Sequence, residues 1–590
     1  MSENRENKGS SENIDHPTTV EPTDQSKLQR KEIPAIKLKK IRKGPRCIQE
    51  RSFPVGNQSF FRVFQGDNLT LRVVAEDMIN DLQVLLHTDV NGTGNWEDIP
   101  FTEVSKGEFA IEVPLKKCGL FRFKIKYSFN FGNSWYWDNV PYSTFYVDPA
   151  AVKSIKMYTL IPTISGHIGD WITLLHHIKD LGMNTVHLLP ITELDSSESP
   201  YAARDIFAID YSYSIPGDKR DILDQFESFV EEAKKLGIKL CIDLVLNHIG
   251  IGSKIAHFCS DWIATDSNEK DTLKRAGCWD NLKWVRWEDL AVIKYDHAVN
   301  KVRHEIWYYM KKYAIFWANY AYYTGGMVRL DNLHSTNIQF FHYLNQALRQ
   351  EYPDLVVFAE LFTDPTTTEK MVLDNGINLL LATPWFNGFA RQMREFIIYN
   401  HKIYSQIRYI FPLNSHDSGS PAQEYGGVKA TIPRYVVCAL MGTGHTGFTQ
   451  GVEFGIPKKI NFIGRQKKLE LSEKNYGYDF SPLISAINRV FDESPVFRTG
   501  GNLHFVDEDH SAIMAAYRFN PQNKEQGMIV IANLDTSSKQ TLSINIMKHF
   551  PFLIGKILLE KISNRNYTVT TGHLDIELEA CGFCILEVTK

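Results

Sequence analysis

The sequence predicts a parallel barrel of eight β-strands and eight covering α-helices, with one antiparallel β domain before it and another after it. Three observations predict this fold. Hydrophobic, β-rich runs alternate with helical patterns about eight times between residues 156 and 492, as a (β/α)8 TIM barrel requires. Several of these runs turn polar at their carboxyl ends, which is typical of buried strands that deliver side chains to one rim. Short runs of alternating polarity lie on both sides of this region, and such runs favour antiparallel sheets.

The chain begins with a polar segment, residues 1–45, that contains most of the basic run KLKKIRKGPR. We expect a disordered tail there, because such a composition buries too little apolar surface to fold. A tether to an anionic surface is the alternative. Residues 46–150 are predicted to form a β-sandwich. Runs such as LTLRVVAE and FRFKIKYSF alternate in polarity, and turn signals such as DVNGTGN separate neighbouring runs.

Residues 151–495 are predicted to form the barrel. Amphipathic helices such as DILDQFESFVEEAKKLG, which ends at Gly237, connect strands such as TVHLLP and IKLCIDLVL. The longest break in the alternation follows His248, and we expect an insertion at about residues 249–300, on the rim where barrels build active sites. Residues 496–590 return to strands such as GMIVIANL and CILEV, which indicate a C-terminal antiparallel β domain.

The composition excludes several classes of partner. Charged residues make up 23% of the chain and the formal net charge is −4, so we expect no nucleic acid as partner. No apolar run reaches the ~18 residues that span a bilayer, and the polar start does not resemble a secretory signal. Eight scattered cysteines do not suggest a disulfide framework. We therefore predict a cytoplasmic protein with no membrane partner; its oligomeric state is unknown from the sequence.

Four strand-end motifs hold the residues that can do chemistry, namely CIDLVLNH, GGMVRLDN, VVFAEL and FPLNSHD. Asp331 in the second motif and Glu360 in the third are 29 positions apart, about one strand–helix–strand unit of roughly 30 residues. Glu360 and Asp417, in the fourth motif, are 57 positions apart, about two such units. The spacing predicts that the three carboxylates meet at one mouth of the barrel.

Two neighbouring carboxyl groups suit the cleavage of a glycosidic bond with retention, in which one is the nucleophile and the other the acid and then the base. Asp331 and Glu360 come from adjacent strands, which lie about 4.8 Å apart. Arg329 precedes Asp331 by two positions and shares its strand face, so we expect its guanidinium to keep Asp331 ionised. Glu360 has apolar neighbours, as a general acid needs. Asp417 comes from across the barrel and can bind sugar hydroxyls.

These motifs resemble the conserved regions of the α-amylase family of glycoside hydrolases, glycoside hydrolase family 13. The resemblance covers about residues 156–590 and implies a (β/α)8 barrel with an insertion after the third strand and a C-terminal β domain. It implies that Asp331 is the nucleophile, Glu360 the acid/base and Asp417 the stabiliser of the transition state. The resemblance further assigns sugar-binding or supporting positions to Tyr201, Asp243, Asn247, His248, Arg329 and His416.

Within that family, MVRLDNLHST followed by AELFT looks most like the glucanotransferase half of glycogen debranching enzyme. Asn332, directly after Asp331, is shared with α-glucan maltosyltransferases, including those that use maltose 1-phosphate, and is included among the substrate-binding candidates. Asn337 stands where debranching enzymes place a proline. The resemblance implies an α-glucan oligosaccharide or polysaccharide as the substrate.

We therefore expect a retaining enzyme of glycogen or maltodextrin metabolism, with 4-α-glucan transfer through a covalent glycosyl-aspartate as its reaction. Three alternatives stay open: an α-amylase-type hydrolase, a maltosyltransferase that uses maltose 1-phosphate, and a glucan-binding protein without catalysis. Trp279, Trp284 and Trp287 in the insertion can provide a platform for an acceptor sugar or pack the insertion itself. No cofactor and no metal site are predicted, although the position of Asn247 binds calcium in many amylases.

Overall fold

The computed structural model describes residues 46–49, 53–54, 60–75, 81–92, 94–138, 141–266, 272–280, 283–465, 468–570 and 572–588. The predicted tail, residues 1–45, lies outside the described residues. The chain divides into two compact units. The first holds the N-terminal strands up to Phe145, and the second extends from Tyr146 to Lys590 and includes the short segment Arg62–Gln65.

The N-terminal strands are antiparallel and form two sheets. The order in the first sheet is Phe53–Pro54, Arg46–Gln49, Asn68–Val74, Glu108–Pro114 and Thr102–Ser105. The order in the second is Phe60–Phe64, Ser143–Asp148, Gly119–Ser128, Gln83–Thr88 and Glu97–Pro100, and Tyr136–Trp137 pairs with its third strand. Phe109, Ile111 and Val113 are buried on alternate positions of one strand. This period of two is the pattern from which the sequence predicts strands here.

Eight parallel strands close into a barrel, each beside its neighbour in the sequence and the last beside the first. The strands β1 to β8 are Ile155–Leu160, Thr185–Leu188, Lys239–Val245, Met327–Asp331, Val356–Ala359, Leu379–Leu381, Tyr409–Pro412 and His445–Thr449. Most of their residues are buried on both faces, which explains the continuous apolar runs in the sequence. The predicted barrel is confirmed, including its eighth strand within GHTGFTQGVEF.

Helices cover the barrel, and their ends have local causes. The predicted helix after β2 is Ile222–Lys235, where the Asp221 side chain accepts from the backbone N–H of Leu223 and Gly237 follows with φ +70°. The other long helices are Ile168–Asp180, Asn300–Tyr323, Ile338–Glu351, Pro365–Asn375, Ala390–Ile403 and Ser481–Glu493. Shorter ones are Lys254–Phe258, Pro421–Glu424, Thr431–Val436, Glu473–Tyr476 and Ile546–His549, and a π-helical turn at Val437–Met441 continues one of them. Among the described residues, no helix is both long and apolar enough to cross a membrane.

Two additions rise from the carboxyl ends of the barrel strands. After β2, the hairpin of Thr192–Leu194 and Ala203–Ile209 holds Tyr201 in its connection. After β3, the predicted insertion folds as a three-stranded antiparallel sheet in the order His248–Gly250, Lys283–Val292, Arg275–Asp280. Both additions therefore lie on the rim where the polar strand ends meet.

The C-terminal part is antiparallel, as predicted, and belongs to the same compact unit as the barrel. One sheet has the order Leu503–Phe505, Ile513–Asn520, Asn523–Asn533, Phe583–Val588, Ile557–Glu560, Asn566–Thr568. The second pairs Gln540–Asn545 with His573–Leu578. Buried aliphatic side chains of both sheets form one core.

Candidate active site

The barrel brings most of the predicted residues to one mouth. Asp243 lies on β3 and Asp331 at the end of β4, where parallel pairing sets Asp243 beside Arg329. Glu360 follows the last residue of β5, and its backbone N–H donates to Leu330 of β4. His416 and Asp417 follow β7. The carboxyl ends of four strands therefore supply the site, as the spacing of the motifs predicts.

Arg329 is the centre of the charge network. Its side chain is 1% exposed, and its Nη1 donates to Asp243 Oδ2 at 2.7 Å and to Asp331 Oδ1 at 3.0 Å. Its Nη2 forms an ion pair with Glu360 Oε2 at 2.9 Å. One guanidinium therefore binds three carboxylates from three neighbouring strands, and the planar fork of arginine suits this bridging.

Asp243 fixes the orientation of the groups around it. Its Oδ2 accepts from the Tyr201 hydroxyl at 3.0 Å and lies 3.1 Å from His187 Nε2. The Tyr201 ring stacks on His416 with 5.6 Å between centroids and 8° between planes. Burial opposes ionisation of Asp243, but Arg329 and His187 lower its pKa. The buried carboxylate is therefore charged and holds Tyr201 at the mouth.

Asp331 does not follow the electrostatic expectation. Arg329 lowers its pKa, but burial and the carboxylates of Glu360, Asp243 and Asp417 raise it more, so the pKa lies well above the usual range. The direction of this pKa opposes the prediction that the guanidinium of Arg329 keeps Asp331 ionised. One guanidinium cannot compensate several buried carboxylates, and the excess negative charge favours a proton on Asp331.

Glu360 is held by the backbone that follows β4. Its Oε2 accepts from the N–H of Asn332 at 3.0 Å, and its own carbonyl accepts from the N–H of Leu333. Asn332 adopts a left-handed conformation with φ +45°, and its side-chain oxygen accepts from Ser335. Asparagine tolerates this conformation better than most residues. The turn after Asp331 thus links the two carboxylates through backbone as well as through Arg329.

Asp417 lies at the open edge of the site, with its side chain 53% exposed. Its Oδ2 is 3.0 Å from His416 Nε2, which also lies 2.7 Å from the Tyr201 hydroxyl. Lys459 Nζ donates to its backbone carbonyl at 2.7 Å. Burial of part of the carboxyl opposes ionisation, but His416, Arg329 and Lys459 lower its pKa. Asp417 is therefore an ionised acceptor that faces the opening.

Asn247 and His248 are buried at the end of β3. They bind none of the predicted catalytic carboxylates, Asp331, Glu360 and Asp417. The Asn247 carbonyl accepts from the N–H of Ile293 in the insertion. Both ring nitrogens of His248 lack a hydrogen-bond partner among the described residues, and its ring meets Trp287 edge to face at 5.9 Å. Burial lowers the pKa of His248 to about 4, so the ring is neutral near pH 7. It can donate to or accept from a sugar hydroxyl.

The tryptophans of the insertion do not form one platform in the described part of the chain. Trp287 packs against His248, while Trp284, on the same central strand of the sheet, is 44% exposed. The side chain of Trp279 lies outside the described residues. Among the described residues, no three His, Cys, Asp or Glu side chains form a group that could hold a metal.

Sequence reasoning missed His187, Lys459 and Phe462. His187 is buried on β2 and contacts Asp243, and the signal for it was a histidine inside the otherwise apolar run TVHLLP. Phe462 lies 5.4 Å from the His416 ring and 6.0 Å from that of Tyr201. Lys459 and Phe462 come from the loop after β8, which has no regular period, so the sequence has no signal that places them at the mouth.

Comparisons with known proteins agree with this geometry. Residues 149–258 match the family model of the glucanotransferase domain of glycogen debranching enzyme. The alpha-1,4-glucan:maltose-1-phosphate maltosyltransferase of Rhodospirillum rubrum is 22% identical over 442 residues, which are 67% of this chain and 59% of the relative. Alpha-amylase 2 of Dictyoglomus thermophilum is 26% identical over 264 residues, 43% of this chain and 44% of the relative. The chain is therefore similar to enzymes of the α-amylase family in both sequence and fold.

Solved structures of a cyclomaltodextrinase and of α-amylases share the fold of this chain. A cyclomaltodextrinase matches 94% of this chain and all of its own, with a TM-score of 0.59 and 17% identity. An α-amylase from Geobacillus thermoleovorans, solved with acarbose, matches 74% of this chain and 99% of its own with the same TM-score and 15% identity. The chain spans about three fifths of the length of the curated maltosyltransferases that it matches.

Proposed function

We propose that this chain is a retaining enzyme of cytoplasmic α-glucan metabolism that transfers α-1,4-glucan segments between chains. One observation carries the proposal: a single buried guanidinium, that of Arg329, bridges Asp331 and Glu360 from adjacent strands. Retention needs two carboxyl groups close together. Inversion needs them farther apart, because a water molecule must fit between one carboxylate and the sugar. The match to a glucanotransferase domain supports transfer as the outcome.

In the proposed reaction, the ionised form of Asp331 attacks the anomeric carbon, while Glu360 gives its proton to the leaving oxygen. The bond from the sugar to the leaving chain breaks as the bond to Asp331 Oδ forms. Glu360, now ionised, takes a proton from the hydroxyl of an acceptor glucan, which displaces Asp331. Asp417 and His248 offer an acceptor and a neutral donor–acceptor ring to the hydroxyls of the bound sugar.

A second candidate is transfer of maltose from maltose 1-phosphate. Several relatives carry that activity in their names, and Asn332 lies directly after Asp331 with its backbone N–H on Glu360. On this reading, the phosphate is the leaving group and lies beside Glu360. Hydrolysis is the outcome if water replaces the acceptor at the same site.

Incubation with maltoheptaose and chromatography of the products tests the proposal. Longer and shorter glucans together indicate transfer, and shorter ones alone indicate hydrolysis. Products that form only with maltose 1-phosphate and an α-glucan favour the second candidate. We expect Asp331→Asn to lose at least about 10⁴-fold in rate, whereas Asp575→Asn, on an exposed strand position, keeps full activity. Activity retained in Asp331→Asn contradicts the assignment of the nucleophile.

A further inference from the structure

A concave feature adjoins His416 and Asp417 at the mouth of the barrel. It is a small open pocket between the ends of β7, β8 and β1, and Ile161, Ser415, Thr449 and Ile456 contribute to its wall. His416 lines it too. Because the ring of His416 also contacts Asp417, the pocket is continuous with the candidate active site.

The lining of this pocket combines aliphatic side chains with polar and cationic ones. Lys458, Lys459, Ser418 and Ser420 line it together with His416, and no acidic side chain is among its described lining residues. Lys459 uses one N–H on the Asp417 carbonyl, which leaves two ammonium protons for other acceptors. Two lysines and no carboxylate among the described lining residues favour an anion, and the neighbouring Asp417 carboxylate offsets part of the charge of Lys459 only.

Thr449 gives a second, independent indication of a ligand. The residue is 4% exposed, and its hydroxyl has no hydrogen-bond partner among the described residues. Its backbone N–H donates to Asn414 Oδ1 at 3.0 Å, so the backbone is fixed while the hydroxyl is not. A buried hydroxyl without a partner destabilises the fold by about 1–3 kcal/mol, and a bound oxyanion would accept from it.

We propose that this pocket binds a phosphate group through Lys458, Lys459 and the Thr449 hydroxyl. Lysine is a point charge that binds phosphate in many sites, whereas a carboxylate is better matched by the fork of arginine. No arginine lines the pocket among its described residues. The phosphate arrives as an ester of the donor sugar or as the free ion, and the ester case rests on the proposed function.

The position of the pocket separates this phosphate from that of maltose 1-phosphate. A phosphate on the anomeric carbon must lie beside Asp331 and Glu360, which come from β4 and β5. The pocket lies at β7, β8 and β1, on the opposite side of an eight-stranded barrel. The phosphate that it binds is therefore attached to another part of the donor sugar, or it is not attached at all.

Titrations with inorganic phosphate and with glucose 6-phosphate, followed by ³¹P NMR at fixed ionic strength, test the proposal. Glucose, measured by calorimetry, is the neutral comparison. We expect saturable binding of at least one phosphate probe. Lys458→Ala and Thr449→Val each weaken it about tenfold or more. The matched controls Lys524→Ala and Thr541→Val change exposed residues of the C-terminal domain and leave it unchanged.

The relative affinities identify the source of the phosphate. Binding of glucose 6-phosphate at least tenfold tighter than inorganic phosphate supports a phosphorylated sugar, and equal binding supports the free ion. If neither probe binds, or if the binding survives both pocket variants, the proposal is wrong. The titrations are repeated on Asp331→Asn, because this variant lacks the nucleophile but keeps the pocket. Phosphate binding to it therefore distinguishes failure of the pocket from failure of the proposed enzyme.

Discussion

At the scale of single residues, the site is an excess of negative charge around one arginine. Asp243, Asp331 and Glu360 all contact the guanidinium of Arg329, and none of the three side chains is more than 13% exposed. Each carboxylate gains from Arg329 but is repelled by the others, and burial strengthens both interactions. Burial is the largest cause of the raised pKa of Asp331, and the neighbouring carboxylates add to it.

The excess charge predicts that Asp331→Asn stabilises the protein while it removes activity. Because the folded-state pKa of Asp331 is raised, its ionisation destabilises the folded state at every pH above that pKa. We expect a gain of about 1 kcal/mol at neutral pH, which disappears as the pH falls below about 3.9, the unfolded value. Thermal unfolding midpoints as a function of pH measure this difference. An unfolding midpoint for Asp331→Asn at pH 7 that is equal to or lower than that of the wild type contradicts this prediction. Asp575→Asn is the control.

The identities of the site residues were predictable, but their charge states were not. Asp331, Glu360 and Asp417 end apolar runs at regular spacing, so the sequence places them at one rim. The number of carboxylates that share Arg329 depends on contacts between β3, β4 and β5, and sequence spacing does not reveal how many reach it. His187 was missed for the same reason, since one polar residue in a strand has no partner in its own segment.

At the scale of elements, a buried carboxylate fixes the loop after β8. Glu453 in this loop is fully buried and accepts from the Tyr158 hydroxyl of β1 at 2.7 Å and from the N–H of Gly451 at 2.9 Å. His177, on the helix Ile168–Asp180, lies 3.3 Å from it. Since this loop begins directly after Thr449 and holds Lys459, these contacts set the position of the pocket described above.

This cluster predicts a pH-dependent contribution from His177. Burial lowers its pKa, but the hydrogen bond and charge of Glu453 raise it more, so the pKa lies above its ordinary value. The extra stability is fully present below about pH 6.5, the unfolded value, and is lost as the pH rises through the folded pKa. We expect His177→Gln to lower the free energy of unfolding more at about pH 6 than at about pH 9. The difference between the two losses is up to about 1 kcal/mol. An equal loss at both values contradicts this, and the exposed His304→Gln is the control.

Elements with a strong local pattern were predictable from the sequence, and those that depend on distant pairing were not. Each of the eight barrel strands overlaps an apolar run of the sequence. The sheet in the insertion was not predicted, because its pairing of His248 with Val292 joins residues far apart and the segment between them has no clear period. The loop after β8 is irregular, and only the folded barrel shows that it reaches the mouth.

At the scale of the whole molecule, Arg518 of the C-terminal domain joins that domain to the barrel. Its side chain is fully buried, and no carboxylate contacts it among the described residues. The guanidinium instead donates to backbone carbonyls, at 3.1 Å to Leu440 in the π-helical turn before β8 and at 2.8 Å to Val496 between the two parts. Further acceptors are the carbonyls of Gly442 and Thr499 and the side chain of Asn502.

These contacts predict that the barrel and the C-terminal domain unfold together and that Arg518 couples them. Arg518→Met keeps a long apolar stem but leaves several buried carbonyls without a donor, each of which costs about 1–3 kcal/mol. We expect the variant to lose about 3–5 kcal/mol and its calorimetric transition to broaden or split, because the two parts no longer unfold as one unit. Arg391→Met, whose side chain is 85% exposed, should leave the transition unchanged. A single sharp transition at the wild-type midpoint in Arg518→Met would show that apolar packing alone joins the two parts.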